Sequence, residues 1–234
     1  MKLFCIPYSG GNANVYRDWE QRLSGLAKIT AIEYRGHGSL FGQDLYNSIS
    51  EVCDDLIERY FRNNHEKYII YGHSLGSLVT YELTRELRKR GCLMPEHIVL
   101  ASLRPPHLLY RRQKYTTMSK DAFMERIINL GNTPREVLEN EELREIVFEL
   151  LYADMKLVDD YAIDDIDVLD TPISVFAGIE DHEAPEDEMK EWNKYTSKKF
   201  ELKMLGGNHF FAFQESGHDL LMGSLEALLR KYAW

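Results

Sequence analysis

Two rhythms of apolar residues alternate along the 234-residue chain. Short runs rich in β-branched and aromatic residues predict strands at Leu3–Ile6, Lys28–Tyr34, Tyr68–Tyr71, His97–Ala101, Ile173–Ala177 and Phe200–Met204. Between them, apolar positions recur at helical spacing. Val15, Tyr16, Trp19, Leu23 and Leu26 form one stripe, and Ile49, Val52, Leu56, Ile57, Tyr60 and Phe61 another, with Ser48 or Ser50 as N-cap. Ser77–Arg90 reads as a helix, and a last one begins at Gly217, with Leu220, Leu221, Leu225, Leu228 and Leu229 on one face. Strand–helix alternation predicts an α/β fold, a mostly parallel sheet flanked by helices.

The alternation is interrupted from Leu103 to Asp170, which opens on Arg104-Pro105-Pro106 and carries no convincing strand. It has helical stripes instead: Phe123, Ile127 and Leu130, then Leu143, Ile146, Val147, Leu150 and Leu151. Residues 1–234 are read as one domain, with 103–170 as a helical insertion within it. Because ligands of such sheets bind at the carboxyl ends of the strands, the insertion is expected to be a lid over that edge. A helical subdomain with no role at the site is the alternative.

The strand Tyr68–Tyr71 runs directly into Gly72-His73-Ser74-Leu75-Gly76 and then into a helix. That is the setting of a nucleophile elbow, in which a tight turn presents a serine at the sheet edge and small neighbours avoid clashes. A serine nucleophile needs a general base, and the base an orienting acid, in the chain order Ser, acid, His. Past the strand Ile173–Ala177 lie Glu180, Asp181 and Glu183, all candidates for the acid, with Asp181 a short loop beyond the strand. Past Phe200–Met204 lie Gly206 and Gly207, which permit a sharp turn, and then His209, placed to reach Ser74. His218 is the runner-up, in the first turn of the last helix. One oxyanion donor is expected from the Leu75 N–H. The second is expected from the loop Pro7–Ala13, whose glycines allow close backbone approach. That loop lacks the GxGxxG and GK[ST] patterns of phosphate-binding loops.

A hydrophobic content of 44%, a charged content of 28% and a net charge of −10 suit a globular protein and argue against nucleic acid as a general partner. The three cysteines, Cys5, Cys53 and Cys92, show neither CxxC nor Cys/His metal spacing, and neither metal nor cofactor is expected. The apolar N-terminal run is too short for a signal peptide, and no stretch approaches the roughly 18 residues of a membrane span. The expected location is cytoplasmic, with no membrane partner.

These residues resemble the stand-alone type II thioesterases of non-ribosomal peptide and polyketide synthases, over nearly the whole length. Phe4-Cys5-Ile6-Pro7-Tyr8-Ser9-Gly10-Gly11 with Val15-Tyr16-Arg17-Asp18-Trp19 is similar to that family's FPYAGG…YRxW opening. Gly72–Gly76 matches its GHSLG elbow, and Gly207-Asn208-His209-Phe210-Phe211 is similar to its GGHFF motif. Leu130-Gly131-Asn132-Thr133-Pro134 followed by Leu151-Tyr152-Ala153-Asp154 is similar to its LGGTP…LRAD lid signature. The resemblance implies an α/β-hydrolase fold with a helical lid and a triad of Ser74, Asp181 and His209. It implies oxyanion N–H groups from Ser9 and Leu75, and hydrolysis of acyl groups from a phosphopantetheine arm by a monomer whose partners are an acyl or peptidyl carrier protein and its acyl thioester. Three departures stand out: Ser9 for Ala, Glu33–Gly38 for a QxPGRG-like turn, and Asn208 for Gly. Arg111, Arg112 and Lys114 form a basic cluster near the insertion that reads as a carrier-docking patch or as a solvated surface. A general carboxylesterase or lipase, and a non-catalytic carrier-binding module, are the rival functions.

Overall fold

The computed structural model describes residues 1–131, 137 and 139–232. Six strands form one sheet in the order β2-β1-β3-β4-β5-β6, every neighbouring pair parallel. They are β1 (Lys2–Ile6), β2 (Lys28–Ala31), β3 (Tyr68–His73), β4 (His97–Ala101), β5 (Ile173–Gly178) and β6 (Phe200–Leu205). Among the described residues the α-helices of six residues or more are α1 (Arg17–Arg22), α2 (Ile49–Leu56), α3 (Leu75–Lys89), α4 (Lys120–Leu130), α5 (Glu141–Asp159) and α6 (Glu215–Tyr232), and a single turn of helix, Glu186–Met189, lies between β5 and β6.

The central strands are buried throughout, as a parallel sheet covered on both faces requires. Alternation along β3 splits the core in two. Tyr68 and Ile70 pack with α2 and α3 against Leu56, Leu78 and Leu83, while Ile69 and Tyr71 face α1 and α6 against Trp19, Leu221 and Leu225. The insertion has its own cluster, centred on Tyr115, Phe123, Ile127, Leu151 and Met155. Burial of each such side chain stabilises the fold by about 1.5–3 kcal/mol.

Several boundaries differ from the sequence reading. The stripe beginning at Val15 opens in a 3₁₀ turn, Ala13–Tyr16, that widens into the short α1. The strand expected to reach Tyr34 ends at Ala31, and Glu33 turns inward to accept the Ala13 N–H at 3.1 Å and the Ser39 N–H at 3.2 Å. Ser48, not Ser50, caps α2, accepting from the Glu51 N–H, and α2 continues to Phe61 as a π turn. In α5 the core-facing stripe lies nearer the C-terminal end: Leu143 and Ile146 are exposed, whereas Leu151, Asp154, Met155 and Val158 are buried. Asn132, Thr133 and Pro134 of the lid signature lie outside the described residues.

Candidate active site

Ser74 sits between β3 and α3 with φ +54° and ψ −117°, a region that costs a non-glycine residue about 1–3 kcal/mol and persists only where the surroundings enforce it. They do so here through close backbone approach. A Cβ on Gly72 would lie 2.1 Å from the Gly76 carbonyl oxygen, and one on Gly76 would lie 2.2 Å from that of Ile6. The Ser74 N–H donates to the Ala101 carbonyl at 2.8 Å. The Ser77 hydroxyl, buried beneath the turn, donates to the Gly72 carbonyl at 2.8 Å and accepts from the Ala101 N–H at 2.8 Å.

His209 Nε2 lies 3.0 Å from Ser74 Oγ, and its Nδ1 lies 3.0 and 3.1 Å from the two Asp181 oxygens. Asp181 also accepts the Glu183 N–H at 3.0 Å. Burial disfavours the charge on both partners, but their mutual attraction outweighs it. The His209 pKa is held above its ordinary value and that of Asp181 below its own. The His209 backbone is fixed as well as its ring. Its carbonyl accepts from His73 Nε2 at 2.8 Å and from the Ser102 hydroxyl at 3.0 Å. Burial drives the His73 pKa down to about 3, so that ring is neutral, accepting at Nδ1 from the Tyr71 hydroxyl at 3.0 Å and donating from Nε2.

Leu75 is the first residue of α3, so its N–H has no acceptor within the helix. Ser9 follows β1, is buried, and leaves its hydroxyl without a partner. Ser9, Ser74 and His209 line one cavity of about 340 Å³. Its far wall comes from the insertion, with Met124 and Ile127 on α4 and Val147, Leu151 and Met155 on α5. A serine, an imidazole and a carboxylate in line, opening beneath an apolar wall, can perform acyl transfer.

The competing candidates are engaged elsewhere. Glu180 is exposed, and Glu183 pairs with Arg126 of α4 and with the Tyr115 hydroxyl. His218 Nδ1 faces the Ala212 carbonyl at 2.8 Å. The basic cluster is not one surface. Arg112 pairs with the fully buried Asp159 carboxylate, Arg111 lies 3.4 Å from Glu188, and Lys114 is exposed and makes no ion pair among the described residues. The Ser102 and His73 supports, and a buried Asp154–His37 pair 3.0 Å apart beside the Ser9 loop, were not legible as parts of a site. The signals were a carboxylate, Asp154, on an apolar helix face, and its place at the end of the lid signature Leu151-Tyr152-Ala153-Asp154.

The thioesterase-domain family model matches residues 1–229. The chain belongs to the thioesterase family. Linear gramicidin dehydrogenase LgrE of Brevibacillus parabrevis is 29% identical over 98% of this chain and 88% of its own length. That name refers to a redox reaction, whereas a serine–imidazole–carboxylate line is an arrangement for acyl transfer. Thioesterase PikA5 of Streptomyces venezuelae is 27% identical over 94% of this chain and 78% of its own. The crystal structure of ClbQ from the colibactin NRPS/PKS pathway superposes with a TM-score of 0.89, at 29% identity, covering 98% of this chain and 97% of that one. The fold of this thioesterase is therefore the α/β-hydrolase fold, as the family resemblance implied. Among the described residues no helix is long and apolar enough to cross a membrane.

Proposed function

We propose that this thioesterase hydrolyses acyl groups from the phosphopantetheine arm of acyl or peptidyl carrier proteins, clearing stalled or aberrant units from a non-ribosomal peptide or polyketide assembly line. The observation that carries the reading is the hydrogen-bonded line Ser74–His209–Asp181 at the foot of an apolar cavity. The thioesterase name of PikA5 supports the reaction, and the NRPS/PKS pathway to which ClbQ belongs supports the pathway class.

Ser74 Oγ attacks the thioester carbonyl while its proton passes to His209 Nε2. Asp181 keeps the other ring proton on Nδ1 and stabilises the imidazolium. The N–H groups of Ser9 and Leu75 receive the oxyanion, each contributing about 10²–10³ in rate. Collapse breaks the C–S bond, and the pantetheine thiol leaves with the proton from His209. His209 then takes a proton from water, whose oxygen attacks the acyl-serine. The acid departs and Ser74 recovers its proton. The proposed cycle uses no metal and no cofactor. The insertion acts as the lid that walls the acyl chain, and the enzyme works as a cytoplasmic monomer.

The test compares kcat/KM on an acyl-phosphopantetheinyl carrier protein, the matching free thioester and a nitrophenyl ester. Ser74→Ala is expected to stay folded and lose turnover; retention of more than about a tenth of the wild-type rate would refute the nucleophile assignment. Strong preference for the carrier-bound substrate is the expected result. Equal or better activity on the free esters would instead make this a general esterase.

A further inference from the structure

Asp154 has no part in the reaction above, yet it is 3% exposed in the middle of an apolar helix face and touches the loop that carries Ser9. Its Oδ2 accepts the Gly10 N–H at 2.7 Å, across 144 positions of chain. The same oxygen lies 3.0 Å from His37 Nε2, and His37 Nδ1 lies 3.0 Å from the Arg35 carbonyl. Both ring nitrogens thus face oxygen acceptors, the setting of an imidazolium paired with a carboxylate. Burial works against that charge, but the hydrogen bond and charge of Asp154 prevail and hold the His37 pKa above its ordinary value.

A second contact from α5 falls on the same residue. Gly10 has φ +76°, and a Cβ there would lie 2.6 Å from Leu151 Cδ2. Leu151 and Asp154, three apart on α5, therefore clasp Gly10 from its Cα and its N–H together. Farther along the loop, Glu33 holds the Ala13 N–H. The Ser9 N–H belongs to the preceding peptide plane, Tyr8–Ser9, which is joined to the fixed Ser9–Gly10 plane through the Ser9 Cα, so with Gly10 held only the two Ser9 backbone torsions remain to aim that N–H.

We propose that Asp154, with His37 as its counter-charge, is a positioning residue of the oxyanion hole, through which insertion helix α5 sets the Ser9 N–H against that of Leu75. The proposal rests on the reading of Ser9 as an oxyanion donor.

The test uses the full chain, with active sites counted by fluorophosphonate titration, a free acyl-N-acetylcysteamine thioester as substrate, and an acyl trifluoromethyl ketone as inhibitor. The ketone's adduct on Ser74 places an oxyanion in the hole. Asp154→Ala is expected to lose about 10–10² in kcat per titrated site with KM within roughly threefold, and the ketone's inhibition constant is expected to weaken by the same factor. Asp154→Asn keeps a weaker, neutral acceptor for Gly10 and is expected to fall between wild type and alanine in both measures. A structural role alone would lower the number of titratable sites and leave both measures unchanged per site. Unchanged kcat and ketone affinity per site in Asp154→Ala, or a loss carried wholly by KM, would overturn the proposal. Should the alanine variant not fold, wild-type values for both measures in Asp154→Asn would overturn it equally. A wild-type enzyme that takes the fluorophosphonate but turns over no thioester would instead refute the functional reading, and the ketone series would still decide the role of Asp154.

Discussion

Replacing Asp181 with asparagine removes one charge from the site with little change in shape. The new side chain can still accept the Glu183 N–H, which lies 3.0 Å from Oδ1 in the wild type. Facing His209 it offers an NH₂ group, which donates to Nδ1 and leaves the ring proton on Nε2. That nitrogen is 3.0 Å from Ser74 Oγ and, once protonated, cannot take the serine proton. The imidazolium also loses its partner. Opposite charges at the observed 3.0 Å interact by roughly 5–6 kcal/mol at an effective dielectric of about 20. At 1.36 kcal/mol per decade that corresponds to about 10⁴ in rate, the scale known for this substitution in serine triads. The assay is kcat/KM against pH. The base must be neutral, so the wild-type rate is expected to rise with pH through a value above the ordinary 6.5 of histidine. Without Asp181 that acid limb moves to lower pH. The stability terms follow the same pair. The raised His209 pKa contributes stability below the ordinary histidine range that is lost as pH rises through the folded value, while the depressed Asp181 pKa contributes above the ordinary carboxylate range and is lost as pH falls through its folded value. A loss of less than about tenfold with an unmoved acid limb would refute the assigned role.

Two further substitutions test the frame. Gly76→Ala places a Cβ 2.2 Å from the Ile6 carbonyl oxygen and 2.8 Å from that of Pro7, so β1 must move; a loss of about 1–3 kcal/mol is expected, read as a lower Tm, and an unchanged Tm would show that the elbow is not so tightly held. Arg112→Met leaves the Asp159 carboxylate buried without its cation, at an expected cost of about 3–5 kcal/mol in urea unfolding, and adding Asp159→Leu is expected to recover only part of it, because Asp159 also accepts the Thr116 N–H at 2.8 Å and its hydroxyl at 3.0 Å. A loss below about 1 kcal/mol would mean that the pair is solvated after all.

The parts of the site that the sequence displays are those tied to local patterns. Ser74 follows from a strand-to-helix turn bracketed by glycines, and His209 from a glycine turn after a late strand. Asp181 stood among three carboxylates, and it is the fold that sends Glu183 to Arg126 and leaves Glu180 in solvent. The supporting contacts depend on register instead. His73 and His209 are 136 positions apart, His37 and Asp154 are 117 apart, and no periodicity announces either pair. Strand β2 was read as too long because Glu33 and Tyr34 sit among strand-forming residues, while the chain bends there to satisfy backbone N–H groups with the Glu33 carboxylate. Arg112 looked like surface charge because its partner Asp159 lies 47 positions away on a helix that the sequence leaves free to face either way.

The apolar wall above Ser74 bears on how a turnover ends. Before hydrolysis the acyl group is neutral, and its chain gains from contact with Met124, Ile127 and Met155. Afterwards it ends in a carboxylate, and no lysine or arginine lines the cavity among the described residues. Held only by the two oxyanion N–H groups and facing a His209 that is neutral at the end of the cycle, the anion is less favoured beside that apolar wall than the neutral thioester it replaces. The bond-breaking step therefore converts a well-matched guest into an ill-matched one, and departure of the acid is driven by the same surface that held its precursor.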